Sequence, residues 1–308
     1  MTQTVRPLGA RIRDTSRGQM SSTIEHIRVY RMTPRRGNLE RVSVGTSSGG
    51  VKKVKIAGKR FPVVVDRATF QAELDALRVR EKAHTHEGDA IAAARRRLPM
   101  VEVDSTLALI GPYGPVTLLD VFEGRQQLIA YYFMWYAGRP AAEQCEGCTL
   151  YNGQVRELSF LHSRDVTYAT LCQGPFEESV RYRDFMGWDM PWYSAQQSLD
   201  ALLIGRQVGM FHLVCYLRQG DRVFETYWTN GRGVEAMDNS NSLLDLTAYG
   251  RQEAWEDAPA GWPRRSEITG EQDGYRSDGR PIAQWSRLQA GRSDDLGTAG
   301  VGNHGERI

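Results

Sequence analysis

The chain has little cysteine, almost no charge surplus and no long apolar run, and each shortage excludes something. Four cysteines among 308 residues are too few to staple a small secreted scaffold, so no disulfide framework is expected. Lysine and arginine total 39 against 37 for aspartate and glutamate, a net charge of +2, and that balance hides uneven placement along the chain. No apolar stretch approaches the roughly 20 residues that a membrane-spanning helix needs, so no membrane partner is expected. Met1 to Arg17 is polar and dotted with arginine, without the apolar stretch of a secretory leader. These absences place the expectation in the cytoplasm, where a close cysteine pair is more often catalytic or metal-binding than structural. Apolar residues at 41% and charged residues at 25% are enough for a globular core.

What is present centres on Leu128 to His162. Leu128 to Trp135 is a continuous apolar and aromatic run, short enough to be a strand covered on both faces. Gly138 to Pro140 breaks it, and Cys145-Glu146-Gly147-Cys148 follows. Cys148, Tyr151, Val155 and Leu158 then recur at helical spacing, which predicts a helix from about Thr149 to His162.

Elsewhere the chain divides by composition. Residues 1–64 are rich in Arg, Lys, Ser, Thr and Gly, with a basic cluster at Lys52, Lys53, Lys55, Lys59 and Arg60. Few aromatics interleave these charges, so a disordered extension is expected rather than a nucleic-acid-binding arm. Residues 65–99 read as a helical arm, with Phe70, Leu74 and Leu77 on one face and Pro99 as the stop. Such an arm could pack on the body or on a second copy, which makes a homodimer a candidate. His84 and His86 are two apart and fall on different helix faces, a poor spacing for metal ligands.

Residues 100–262 hold a core domain, and the tail 263–308 is polar and expected to be disordered. Val101 to Val103, Leu107 to Ile110 and Val116 to Phe122 around Gly111-Pro112-Tyr113-Gly114-Pro115 predict a hairpin edge. Asp165 to Cys172 is a second strand, and Gly174-Pro175 opens a helix ending at Gly187. Met210 to Leu217 and Arg222 to Thr229 form a hairpin, followed by a last helix over Val234 to Leu246. Trp188 to Tyr193 is either a short strand or a wall over the site.

Strand, helix, strand, helix, hairpin, helix resembles the thioredoxin plan. It implies an α/β fold in which helices flank a central mixed sheet. Residues from about Phe61 to Gly250 resemble a bacterial thioredoxin-like family catalogued as domain of unknown function eight-nine-nine. The resemblance rests on Arg95-Arg96-Arg97-Leu98-Pro99, Val116 to Phe122, Phe133-Met134, Cys145-x-x-Cys148 and Arg164-Asp165-Val166-Thr167. It continues through Met186-Gly187-Trp188 with Pro191-Trp192, and Leu244-Asp245-Leu246-Thr247. It implies a thioredoxin-like fold and a candidate redox site, without a substrate.

The cysteine pair suits thiol–disulfide exchange, because the thiolate is the nucleophile and a helix N-terminus stabilises an anion. Cys145 is then the attacking thiol and Cys148 the resolving one. Glu143 and Glu146 oppose thiolate formation and Arg139 could offset them, so a mildly lowered Cys145 pKa is expected. No bound cofactor is needed, and the partners are a protein or small-molecule disulfide and an external reductant. Two other readings stay open: a non-catalytic binding or redox-sensing scaffold, and a zinc half-site completed by a second subunit. Disulfide-exchanging relatives of this fold carry a cis-proline before the third core strand, and here Val208-Gly209-Met210-Phe211 has none. Cys172, Cys215, His162 and His212 are read as structural residues first.

Overall fold

The computed structural model describes residues 55–56 and 59–264. The expected disorder of residues 1–54 and of the tail from 265 lies outside the described residues. Two short strands, β1 (Lys55–Ile56) and β2 (Lys59–Arg60), pair with each other. Helix α1 (Arg67–Arg95) follows, capped by Asp66, whose carboxylate accepts from the Thr69 N–H at 2.8 Å. None of its residues is buried, and it runs through Gly88 without a break.

The body is one eight-stranded sheet. Its strands are β3 (Val101–Val103), β4 (Ala108–Gly111), β5 (Gly114–Thr117), β6 (Gln127–Phe133), β7 (Val166–Cys172), β8 (Trp192–Ser194), β9 (His212–Gln219) and β10 (Arg222–Thr229). They lie in the order β3-β10-β9-β6-β7-β8-β4-β5. Helices α2 (Glu146–Gln154), α3 (Ser159–His162), α4 (Phe176–Met186), α5 (Leu199–Leu202) and α6 (Asn239–Leu244) connect and flank them. β6 runs parallel to β7 with Phe133 opposite Cys172, and antiparallel to β9 with Tyr132 opposite His212. β9 and β10 form the antiparallel hairpin. A central parallel pair flanked by an antiparallel hairpin is the thioredoxin-like arrangement, and the fold is of that class.

β6 explains the shape of the core. Its period of two sends Leu128, Ala130 and Tyr132 into one apolar cluster with Val214, Tyr216 and Leu199. Tyr131 and Phe133 point the other way, toward Cys148, Tyr182, Trp188 and Trp192. The strand is therefore covered on both faces, as its unbroken apolar run requires. On the first face the Tyr132 and Tyr216 hydroxyls meet at 2.7 Å.

Several expectations change. The single helix over 149–162 is two helices, because Val155 takes an extended conformation at the end of α2. Arg156 Nη1 donates to the Gly187 carbonyl at 2.9 Å, and Glu157 accepts from the Ser159 N–H to start α3. The last helix is likewise interrupted: 3-10 turns over Gly231–Met237 end at Asp238, which caps α6 through the Asn241 N–H at 3.0 Å. β3 is not part of the β4–β5 hairpin but pairs with β10 at the far edge of the sheet. Of the segment Trp188 to Tyr193, the last two residues enter β8, parallel to β7.

Candidate active site

Everything near the cysteines is placed by the end of β6. After Phe133 the chain leaves the sheet, and Gln144 folds the following loop back on itself. Its side-chain amide accepts from the Tyr136 N–H at 2.9 Å and donates to the Tyr136 and Arg139 carbonyls at 2.9 and 3.1 Å. Gly138 N–H is tied to Glu178 on α4 at 2.8 Å. A loop fixed at both ends delivers Cys145 to the start of α2.

Cys145 is the N-cap of that helix, and its sulfur accepts from the Cys148 N–H at 3.3 Å. A sulfur in that position occupies one of the otherwise unpaired N–H groups of the first turn. The Cys145 thiol is held below the ordinary cysteine value, first by hydrogen bonding with the Cys148 side chain and then by the Cys148 and Gly147 N–H groups. Burial and, last, the Glu146 carboxylate push the other way, so Glu146 acts as anticipated. Arg139 stacks over the Tyr136 ring, 5.2 Å from its centre. Cys145 is partly buried as a residue, whereas Cys148 is fully buried.

Cys148 has the opposite electrostatics. Burial pushes its thiol well above the ordinary value, followed by the hydrogen bond and the charge of Cys145. Tyr131 and the Met134 N–H, 3.4 Å from the Cys148 sulfur, pull it down. Met134 also brings its thioether within 3.7 Å of the Cys145 sulfur.

A set of buried polar groups, not anticipated from the sequence, anchors α2 to the sheet. Thr149 Oγ1 donates to the Cys145 carbonyl at 2.9 Å and meets the Tyr182 hydroxyl at 2.8 Å. Asn152, with no exposed surface, accepts from Tyr168 at 2.6 Å and from Thr170 at 2.9 Å. Alternation along β6 and β7 marks Tyr131, Tyr168 and Thr170 as belonging to one face, but only the packed helix shows what they touch.

The remaining candidates sit elsewhere. Cys172 ends β7, fully buried, and burial pushes its thiol up to about 12. Cys215 lies mid-strand in β9 with its thiol up at about 11 for the same reason. His162 closes α3, and His212 Nε2 engages the Gln207 carbonyl at 3.1 Å while burial lowers its pKa. Trp135, Trp188, Trp192 and Tyr193 are core residues rather than a wall over a groove. Among the described residues no cis peptide occurs, and no group of three or more His, Cys, Asp and Glu side chains is placed to hold a metal ion. No described helix is long and apolar enough to cross a membrane.

The buried thiols and phenols set an alkaline limit on stability. Tyr131, Tyr132, Tyr168, Tyr182 and Tyr216 are all raised by burial, as are Cys172 and Cys215. Between the unfolded and folded values the native chain holds protons that the unfolded chain has released, so stability falls as pH rises through that window. The window opens near pH 9 with the cysteines and deepens past 10 with the tyrosines. Cys172 alone accounts for a loss on the order of 1 kcal/mol by pH 10. Urea midpoints of the reduced protein are expected to hold up to about pH 9 and to drop steadily from there to pH 11. A flat profile would show that these groups are hydrated in the native state.

A family described as bacterial protein of unknown function (DUF899) matches residues 59–269. No curated protein matches the chain. Among solved structures, peroxidoxin BcpB from Mycobacterium tuberculosis is 17% identical over 44% of this chain and 91% of that one, with a TM-score of 0.32. A mutant of peroxiredoxin Q from Xanthomonas campestris is 13% identical over 45% and 93%, at 0.31. Thioredoxin from Wuchereria bancrofti is 11% identical over 44% and 89%, at 0.29.

Proposed function

The chain belongs to the DUF899 family of bacterial proteins, and from that footing we propose that it is a thiol–disulfide oxidoreductase with Cys145 as nucleophile and Cys148 as resolving thiol. The observation that carries this reading is the cap itself. The Cys145 sulfur stands at the N-terminus of α2, takes the Cys148 N–H at 3.3 Å and is the more ionisable thiol of the pair, on the less buried of the two residues. The chain thereby separates the two roles that exchange requires. One sulfur attacks as a thiolate, and the other stays protonated and covered until it is needed.

The reaction transfers two electrons. Cys145 thiolate attacks a substrate disulfide and expels one thiolate, and Cys148 then displaces the second and closes the Cys145–Cys148 bond. An external dithiol must reopen it. The substrate is a protein or small-molecule disulfide, and no bound cofactor takes part.

A second reading has its own support. Gln173 occupies the backbone just ahead of β9, accepting from the Gly209 N–H at 2.8 Å and donating to the Met210 carbonyl at 2.8 Å. Backbone tied in this way is not free to pair with an extended peptide, which favours a redox sensor or a binding scaffold over a protein-disulfide reductase. Steady-state reduction of glutathione disulfide with dithiothreitol as donor, combined with mass-spectrometric mapping of the oxidised chain, separates the two. Turnover with a Cys145–Cys148 bond is expected. A bond that forms stoichiometrically without turnover would leave the sensor, and no bond between these residues would remove both redox roles and leave the binding scaffold.

A further inference from the structure

Tyr131 poses a problem that the reaction as described does not use. It stands at 0% exposure on β6, and its hydroxyl is buried with no well-formed hydrogen bond among the described residues. A buried hydroxyl without a partner costs stability, and phenylalanine would fill the same space without that cost. Tyr131 and Cys148 belong to the same buried cluster on the face of the sheet beneath α2, and the two side chains interact electrostatically. The Met134 N–H is directed at the Cys148 sulfur at 3.4 Å.

We propose that the Tyr131 hydroxyl and the Met134 N–H form a holding site for negative charge on Cys148, filled only during the second half of the exchange. This rests on the oxidoreductase reading above and assigns Tyr131 as a positioning residue within it. In the reduced protein the charge belongs to Cys145, which is stabilised by Cys148, and the phenol is idle. Once Cys145 is bonded to a substrate sulfur it can no longer carry charge. Cys148 must then ionise in a fully buried setting.

The balance is explicit. Cys145 thiolate attacks the disulfide; one Cys145–substrate S–S bond forms, one substrate S–S bond breaks, and a thiolate leaves. The proton of Cys148 goes to solvent, from which a sufficiently basic leaving thiolate takes one up. The Cys148 thiolate, held by Tyr131 and Met134, attacks the Cys145 sulfur, closes the protein disulfide and expels the second thiolate. The substrate gains two electrons, one proton is released from the pair, and the pair is oxidised. Besides Cys145 and Tyr131, the ionisable side chains whose titration is coupled to Cys148 are Tyr136, Tyr168 and Tyr182. Tyr168 and Tyr182 already have hydrogen-bond partners in Asn152 and Thr149.

Tyr131→Phe tests this in a single turnover with 5,5′-dithiobis(2-nitrobenzoate). The first release of 2-nitro-5-thiobenzoate reports attack by Cys145, and the second reports closure by Cys148. A hydrogen bond to a charged acceptor is worth about tenfold or more in ionisation. The expected result is an unchanged first release and a second release about tenfold slower at fixed pH. The log-rate against pH line for closure should move up by about one pH unit, with thermal stability equal to wild type or higher. A second release with unchanged rate and pH profile would overturn the inference, as would slowing of both releases together with lost stability. Closure in a single turnover without sustained turnover of glutathione disulfide would count against the oxidoreductase reading while leaving Tyr131 its role. No first release from either protein would overturn both.

Discussion

Cys145→Ser is expected to reduce disulfide turnover to the uncatalysed background, a loss on the order of a thousandfold or more. A serine hydroxyl does not ionise near neutral pH, so the cap that lowers the Cys145 thiol has nothing useful to stabilise. Cys148 cannot take over, because it is fully buried and its thiol is pushed well above the ordinary value. The fold should tolerate the change, since serine is itself a good N-cap and can accept the same Cys148 N–H. Cys148→Ser is expected to behave differently. The first attack survives, and the substrate remains attached to Cys145 as a mixed disulfide visible as added mass on the intact protein. Equal loss in both variants with no trapped adduct would show that the order of attack is wrong. Turnover retained by Cys145→Ser would remove the nucleophile assignment altogether.

The largest effect on stability is expected at Phe133. Its ring has no exposed surface and lies 5.3–6.4 Å, centre to centre, from those of Tyr131, Trp135, Tyr182, Trp188 and Trp192. Phe133→Ala removes the ring at the centre of that group, and neighbours this large cannot collapse into the space. A loss of about 3–5 kcal/mol is expected, a third or more of the stability of an ordinary domain. The melting temperature should fall by roughly 6–20 °C, measured by calorimetry at neutral pH. Phe133→Leu, which keeps most of the apolar volume, should lose distinctly less. Equal effects from the two substitutions would mean that the aromatic packing is looser than its distances indicate. The same residue joins stability to the site, because Met134 and the loop to Cys145 leave the sheet directly from it.

Gly174 shows how little slack this region has. A methyl group there would collide with the Trp135 ring. Trp135 in turn packs on Phe133 and Tyr182, at 6.4 and 5.7 Å between ring centres. The glycine is thus a packing requirement, which the sequence presents only as part of a Gly-Pro helix opening.

The local signals were legible wherever one stretch of chain settled the outcome. β6 could be read from an apolar run bounded by turn residues, and the β9–β10 hairpin from alternation around Gly220. α4 could be read from Pro175 at its start and Gly187 at its end, where φ is +64°. The pair at Cys145 and Cys148 was visible as spacing. The break at Val155 was not, because the helical apolar period continues across it while the chain is turned by Arg156 reaching Gly187 on a different element.

By itself, then, the sequence determined the main strands, the helix that opens at Pro175, the order of elements, and the placing of two thiols one helical turn apart. Tertiary structure alone decided that β3 closes the far edge of the sheet, that Cys148 is fully buried while Cys145 is only partly so, and that Tyr131 from β6 shares one buried cluster with the resolving cysteine. The division has a physical cause. Backbone preference and hydrophobic period act within a few residues, whereas strand partners, burial and the neighbours of a sulfur atom are set by segments far apart in the chain that meet only when the core closes.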